Sequence, residues 1–198
     1  MMNYSEKIKA IAQGQSGTVL SSDVDEQGIA RIYLSRMVEA GTLQRIGAGV
    51  YVLPDFLEDE MFILQRKYPA AIFSHETALF LHECSDRAPL VHSITVPSGY
   101  KVTRSLAEKS KVYYIRNEFH SLGLIEGNSA MGNSIHLYDV ERSLCDLIRS
   151  KNRMDIQVFS DALKQITKRY TLDSMRLFDY ARALKVEKIL HTYLEVLI

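Results

Sequence analysis

The chain has 198 residues, of which 46% are hydrophobic, and its 24 Lys and Arg balance 24 Asp and Glu, so that the formal net charge is zero. This composition is that of a globular protein and excludes an intrinsically disordered chain, and two isolated cysteines, Cys84 and Cys145, exclude a disulfide framework. No apolar run approaches the roughly 20 residues that span a bilayer. We therefore expect a soluble, cytoplasmic protein with no membrane partner, in which any nucleic-acid binding depends on a local basic surface.

The first 53 residues predict three helices followed by a hairpin, because runs with helical spacing of apolar residues are separated by glycines. In chain order, the predicted elements are a helix capped by Ser5 and ended near Gly14, an extended piece over 18–20, a short helix capped by Ser21 or Ser22 and ended by Gly28, a helix over 30–40, and a hairpin with arms 43–46 and 50–53. This order within about 50 residues is typical of a winged helix-turn-helix.

The third helix has the two faces that a DNA recognition helix needs. At 100° per residue, the apolar side chains of Ala30, Tyr33, Leu34 and Met37 share one face, which we expect to be buried. Arg31, Ser35 and Arg36 lie on the opposite side. Arg31, in the first turn, is a candidate for a bidentate contact to guanine, Ser35 for a base or phosphate, and Arg36 for a phosphate. Taken alone, this pattern is more typical of a solvated charged face than of a recognition helix.

The hairpin favours the DNA-binding interpretation. Gly47, Ala48 and Gly49 form a tip without bulky side chains, and Arg45 stands beside it, so the tip can lie against a sugar–phosphate backbone. Because residues 1–53 contain five basic and five acidic side chains, we expect modest affinity per molecule and two copies assembled on DNA.

A domain boundary is expected near Pro54, after which the sequence becomes acidic. We predict a DNA-binding domain over 1–54 and a second domain over 55–198. The second domain mixes short strands over 71–73, 91–96, 111–115 and 134–138 with helices over 59–68, 75–84, 141–150, 155–170 and 171–197, the last one broken near Lys185. The predicted fold class is α+β: an N-terminal winged helix-turn-helix and a larger mixed α/β domain that ends in a helical bundle.

We expect no enzymatic activity, no catalytic residues and no cofactor, because phosphate-binding, dinucleotide-binding and nucleophile-elbow motifs are missing from the sequence. His75 and His82 lie two helical turns apart, about 10.5 Å, which is too far for both to bind one metal ion, so we expect no metal site. Arg142 and Asp146 are spaced as a structural i,i+4 pair.

Several stretches occur in an order and spacing that is fairly specific. They are 28–31, 34–38, Gly41 and 45–54 in the N-terminal part, followed by 74–79, 94–97 and 138–147. Together they resemble the abortive-infection antitoxins of the AbiEi type.

The resemblance implies the antitoxin of a bacterial type IV toxin–antitoxin system for phage defence. Such a protein represses its own operon by binding inverted repeats through its winged helix, and its C-terminal domain neutralises a nucleotidyltransferase-like toxin without a stable complex. The alternatives are a ligand-responsive winged-helix regulator with no antitoxin role, and an enzyme fused to a winged helix.

The second domain offers one candidate surface for neutralisation. Between residues 149 and 188, ten Lys and Arg face five Asp and Glu. On the helix over 155–170 we expect Ile156, Phe159, Leu163 and Ile166 to be buried. Lys164 and Lys168 lie away from the centre of that apolar stripe, and Arg169 flanks it. These three are the candidate antitoxin residues, although a solvated basic face has the same pattern.

Overall fold

The computed structural model describes residues 3–197, with side chains described as far as residue 194, and the chain forms two compact units. The first unit contains the residues up to Lys67 together with 128–135, and the second contains 68–127 and the residues from His136 onward. By compactness the division thus follows Lys67, and the boundary expected at Pro54 remains a prediction.

The first unit is a winged helix-turn-helix, as predicted. Its elements are α1 (Tyr4–Gly14), β1 (Thr18–Leu20), α2 (Ser21–Glu26), α3 (Ile32–Glu39), β2 (Gln44–Gly47), β3 (Val50–Val52) and α4 (Glu60–Lys67). The three strands form an antiparallel sheet in the order β1-β3-β2, so that the hairpin pairs through β3 with the strand that precedes α2.

Helices α1, α2 and α3 surround one apolar core. Ile8 and Ala12 of α1, Val24 of α2, and Leu34 and Met37 of α3 are buried in it. Burial of each large aliphatic side chain stabilises the fold by about 1.5–3 kcal/mol, so this shared core fixes α3 against the other two helices.

Three local expectations in this unit are wrong. The N-cap of α2 is Leu20 rather than Ser21 or Ser22, because the helix already begins at Ser21 and the Asp23 carboxylate accepts the Leu20 backbone N–H. The cap of α1 is Asn3 rather than Ser5: the Asn3 backbone N–H donates to Glu6 Oε2 at 2.8 Å, which completes a capping box. The third helix begins at Ile32, two residues later than expected, and Ala30 is exposed because it precedes the helix. Arg31 is the N-cap residue of α3.

A turn over 128–135 completes the first unit from a distant part of the sequence. The buried carboxylate of Asp59 accepts hydrogen bonds from Ser129 Oγ at 2.5 Å and from Asn133 Nδ2 at 2.7 Å. Ser16 Oγ donates to the Met131 carbonyl at 2.6 Å, and Asn133 Nδ2 to the Gln15 carbonyl at 3.3 Å. These bonds bind the turn to two separate places in the N-terminal segment.

A second, five-stranded mixed sheet is formed by strands between residues 72 and 138. It has the order β6-β5-β4-β8-β7, in which β4 pairs antiparallel with β5 and parallel with β8, and β5 pairs parallel with β6. The strands are β4 (Ile72–Phe73), β5 (His92–Pro97), β6 (Ser110–Ile115), β7 (Leu124–Asn128) and β8 (Ser134–Tyr138), with the helices α5 (His75–Leu81) and α6 (Arg104–Lys109) between them.

Four further helices follow the sheet: α7 (Val140–Arg149), α8 (Ile156–Arg169), α9 (Ser174–Ala183) and α10 (Glu187–Leu197). The side chains of Asp139, Asp155 and Asp173 cap α7, α8 and α9 by accepting backbone N–H groups of the first turn. Lys185, in the left-handed conformation with φ +60°, separates α9 from α10 where the break was expected. The observed architecture confirms the α+β fold class and the helical C-terminal part.

Within the described residues, no helix combines the length and the apolar character that crossing a membrane requires.

Candidate nucleic-acid interface

The outward face of α3 presents the side chains expected there. Arg31, Ser35 and Arg36 are exposed, whereas Leu34 and Met37 on the other face are buried. Ile32 is also exposed, over 53% of its surface, although it is a large aliphatic residue. The face therefore combines hydrogen-bond donors with an apolar side chain, a combination that suits base edges and thymine methyl groups.

Arg31 forms an ion pair with Asp25, near the end of α2. Its Nε donates to the two carboxylate oxygens of Asp25 at 3.0 and 3.1 Å, and its Nη2 donates to Oδ2 at 2.5 Å. This hydrogen bonding favours the charged carboxylate and lowers the pKa of Asp25 below its ordinary value. Both side chains remain largely exposed, so the pair lies at the surface of the unit.

Arg36 and Arg45 have no carboxylate partner among the described residues. The Arg36 guanidinium lies over the Tyr33 ring, 5.5 Å from its centroid, and Arg45 Nε donates to the Gly47 carbonyl at 3.3 Å. Both side chains are exposed. Their charge is therefore available to an anion such as a phosphate.

The tip of the hairpin is constrained by Gly49. This residue has φ +68°, and a Cβ atom added to it would lie 2.6 Å from Ser21 Oγ. Ser21 N donates to the Gly49 carbonyl at 2.9 Å, which holds the tip against the start of α2. Gly47 has no positive φ, and Ala48 is exposed, so only Gly49 is required by the fold itself.

A second contact fixes α2 within the same unit. The Asp23 carboxylate accepts the Leu20 backbone N–H at 2.7 Å and forms an ion pair with Arg66 of α4. Arg66 also lies 3.6 Å from Glu26. Asp23 is buried, so the removal of Arg66 would leave a buried carboxylate without its cation.

The candidate antitoxin residues lie on the exposed side of α8. Lys164 and Lys168 are exposed, and Phe159, Leu163 and Ile166 are buried on the other side of the helix. Ile156 is 74% exposed rather than buried, because it is the first residue of the helix and extends beyond the core.

Arg169 differs from the two lysines. Its Nη1 lies 3.0 Å from Glu83 Oε2, and its Nε donates to Gln165 at 3.2 Å. All three candidates thus lie in the C-terminal half of α8, but of the three only the lysines have no acidic partner among the described residues.

The two helical histidines have structural partners. His75 is buried, and its ring nitrogens lie 2.9 Å from Ser74 Oγ and 3.0 Å from Ser150 Oγ. His82 Nε2 lies 2.7 Å from the Tyr138 carbonyl oxygen. Within the part of the chain that the structure describes, no group of three or more His, Cys, Asp or Glu side chains could hold a metal ion.

The order of helices, the three-stranded sheet and the exposed face of α3 place the first unit in the winged helix-turn-helix class. Residues 6–54 match the model of a family described as transcriptional regulators, AbiEi antitoxin. The match confirms, over these residues, the resemblance expected from the sequence.

The whole fold also has a counterpart among solved structures. The crystal structure of the Rv2827c protein from Mycobacterium tuberculosis is similar, with a TM-score of 0.60 over 90% of this chain and 70% of that chain. The sequence identity is 14%, so this likeness concerns the fold alone. No curated protein matches the sequence.

Proposed function

We propose that the protein is the antitoxin and autorepressor of a type IV toxin–antitoxin system for phage defence. In this proposal the winged helix binds inverted repeats in its own operator, and the C-terminal part neutralises a nucleotidyltransferase-like toxin without a stable complex. The observation that supports it best is the family match over the residues that form α1 to β3, in a unit whose α3 face is exposed and basic.

Operator binding is tested by truncation of the base-contacting arginine. In a titration of operator DNA, we expect Arg31→Ala to weaken binding by about 1–3 kcal/mol and to relax base preference, because a bidentate contact to guanine is lost. Lys9→Ala is a matched control, since Lys9 is an exposed cation of the same unit on α1. Equal behaviour of the two variants would remove Arg31 from the interface.

The proposed interface also includes Ser35, Arg36, Arg45 and the tip Gly47-Ala48-Gly49. In this proposal Ser35 donates to a base or phosphate, and the backbone N–H groups of the tip donate to a phosphate. Two copies are expected on an inverted repeat, so an operator with one half-site should bind much more weakly than one with both. Equal affinity for the two operators would contradict paired binding.

Neutralisation is assigned to the exposed basic side of α8. We expect simultaneous replacement of Lys164, Lys168 and Arg169 by Glu to abolish protection of cells that express the toxin, with operator repression and circular dichroism unchanged. Replacement of Lys101, Lys109 and Arg104, which are also exposed, by Glu gives a charge-matched control. Full protection by the folded α8 variant would contradict this assignment, and loss in both variants would show that total charge matters rather than α8.

The functional division is proposed to follow the boundary near Pro54, with DNA binding in 1–54 and antitoxin activity in 55–198. A fragment over 55–198 should stay folded and protect against the toxin while losing operator binding. This fragment retains Asp59 and its bonds to the 128–135 turn but loses the partners Gln15 and Ser16. If the folded fragment gives no protection, the division is wrong.

A ligand-responsive regulator is the second candidate, and one cleft in the first unit favours it. The cleft has a volume of about 520 Å³ and is lined by Gln15, Asp23 and Arg66 among others. The Oε1 atom of Gln15 is buried and has no hydrogen-bond partner in the part of the chain that the structure describes. This alternative predicts no protection against any toxin encoded beside the gene, so the growth assay separates it from the antitoxin function.

A further inference from the structure

The contact between Asp25 and Arg31 leaves one edge of the guanidinium group without a hydrogen-bond partner among the described residues. Asp25 accepts hydrogen bonds from Nε and Nη2, which form the side edge of the planar fork. The end edge, with the outer hydrogens of Nη1 and Nη2, keeps two parallel donors. Guanine presents two acceptors, O6 and N7, in the major groove at a matching spacing.

A short turn fixes the two side chains relative to each other. Gly28, with φ +65°, follows α2, and Gly28 N donates to the Asp25 carbonyl at 2.9 Å. Ile29 N donates to the Val24 carbonyl at 2.8 Å, and Ile29 itself is buried. Asp25 and Arg31 therefore stand on opposite sides of a closed, anchored turn, at the place where α2 leads into α3.

We propose that Asp25 is a positioning residue that holds Arg31 with its free edge directed towards a guanine of the operator. This inference rests on the proposed DNA binding and adds the residue that sets its base preference. An unconstrained arginine can turn towards a neighbouring phosphate, whereas one held by a carboxylate has lost much of that rotational freedom before it meets DNA. Asp25 thereby raises discrimination between bases rather than general affinity.

The same contact could instead act as a latch that occupies Arg31 until DNA displaces it. The two roles have opposite consequences. If Asp25 positions Arg31, its removal lowers the preference for guanine. If it is a latch, its removal strengthens binding and leaves the preference intact.

The test uses the full-length protein and operator DNA in which each guanine is replaced in turn by 7-deazaguanine, which lacks the N7 acceptor. Inosine at the same position is the matched control, since it keeps both O6 and N7. For the wild type we expect about a tenfold loss at one guanine of each half-site with 7-deazaguanine and little change with inosine. In Arg31→Ala, 7-deazaguanine at that guanine should cause no loss of affinity. In Asp25→Asn, the loss of affinity at the same guanine should fall below about threefold.

Glu39→Gln controls for charge alone. It removes one negative charge from the exposed end of α3, where Glu39 has no hydrogen bond or ion pair to an arginine among the described residues. It should strengthen binding to every operator equally and keep the full loss with 7-deazaguanine. Unchanged discrimination in folded Asp25→Asn would overturn the inference while leaving DNA binding in place. Failure of the wild type to bind the operator at all would overturn the proposed function itself.

Discussion

The imidazole ring of His75 lies flat against the phenol ring of Tyr113, with the ring centroids 3.4 Å apart and the planes 9° from parallel. Both ring nitrogens are within hydrogen-bond distance of serine hydroxyls, and the residue adopts φ +48° at the start of α5. Burial, and then the nearby cation Arg142, lower the pKa of His75 well below its ordinary value. The ring is therefore neutral in the folded protein near pH 7.

We expect His75 to make the fold sensitive to mild acid. The unfolded chain binds the imidazole proton near pH 6.5, and the folded chain binds it only at lower pH, so this contribution to stability is complete above about pH 6.5. As the pH falls below that value, the free energy of unfolding should decrease by up to about 1.4 kcal/mol per pH unit. Urea unfolding between pH 5 and 8 measures this pH dependence of the free energy of unfolding.

The control for this prediction is His75→Asn, because asparagine tolerates the left-handed backbone and does not titrate. The variant should be less stable at pH 8 and show a shallower pH dependence below pH 6.5. Parallel pH curves for the two proteins would show that other groups cause the acid sensitivity.

A second prediction concerns the buried pair Arg142 and Asp146, whose spacing already indicated a structural role. Arg142 Nε donates to Asp146 Oδ2 at 3.0 Å, and Nη1 donates to the carbonyls of Phe119 and Leu122. Arg142→Met should lower the free energy of unfolding by about 3–5 kcal/mol, because it leaves a buried carboxylate without its cation. Replacement of both residues, Arg142→Met with Asp146→Leu, should cost less than Arg142→Met alone, and a larger loss in the double variant would contradict this account.

A third prediction separates the fold requirement of the hairpin tip from its proposed DNA contact. Gly49→Ala combines a positive φ with a close approach to Ser21 Oγ, so we expect it to destabilise the first unit by about 1–3 kcal/mol. Gly47→Ala is the matched control, since the nearest atom to an added Cβ is Lys67 Nζ at 3.9 Å. Thermal unfolding of both variants measures the difference in stability. Equal stability would show that the backbone of the tip can accommodate a side chain at position 49.

A fourth prediction concerns phosphate contacts. Arg36→Ala and Arg45→Ala should each weaken binding to every DNA sequence. Each should also lower the slope of log affinity against log salt concentration by about one, as the loss of one phosphate contact does. Titrations at several salt concentrations, on operator and unrelated DNA, provide the measurement. A loss confined to the operator would instead assign that arginine to a base.

The sequence predicted secondary structure best where a periodic spacing of apolar residues was bounded by residues that end a helix or strand. The three helices and hairpin of the first unit follow from glycines and apolar spacing, and β8 occupies the residues expected for it. Among the α-helices and strands of the described residues, α6 and β7 were not predicted. The six-residue α6 buries only Leu106 and depends on its Thr103 cap, and β7 contains Glu126, Gly127 and Asn128, which are residues unusual for a strand.

For the candidate site, the sequence indicated the exposed arginines but not the interactions that orient them. Helical spacing places Arg31, Ser35 and Arg36 away from the core, and all three are exposed. The pairing of Arg31 with Asp25 depends on the path of the chain through Gly28 between two helices. A pattern of spacings within one helix contains no information about such a turn.

The turn over 128–135 limits how this protein can exchange parts with others. Asp59 is bonded to side chains of that turn, and the residues that complete the first unit are separated from the rest of it by positions 68–127. Recombination could transfer the segment up to Lys67 into a related protein without the turn over 128–135. The Asp59 carboxylate would then face the turn of the recipient protein, whose side chains evolved beside a different residue. We therefore expect the N-terminal segment and this distant turn to change together in evolution, with the residue at each of positions 59, 129 and 133 restricting the other two.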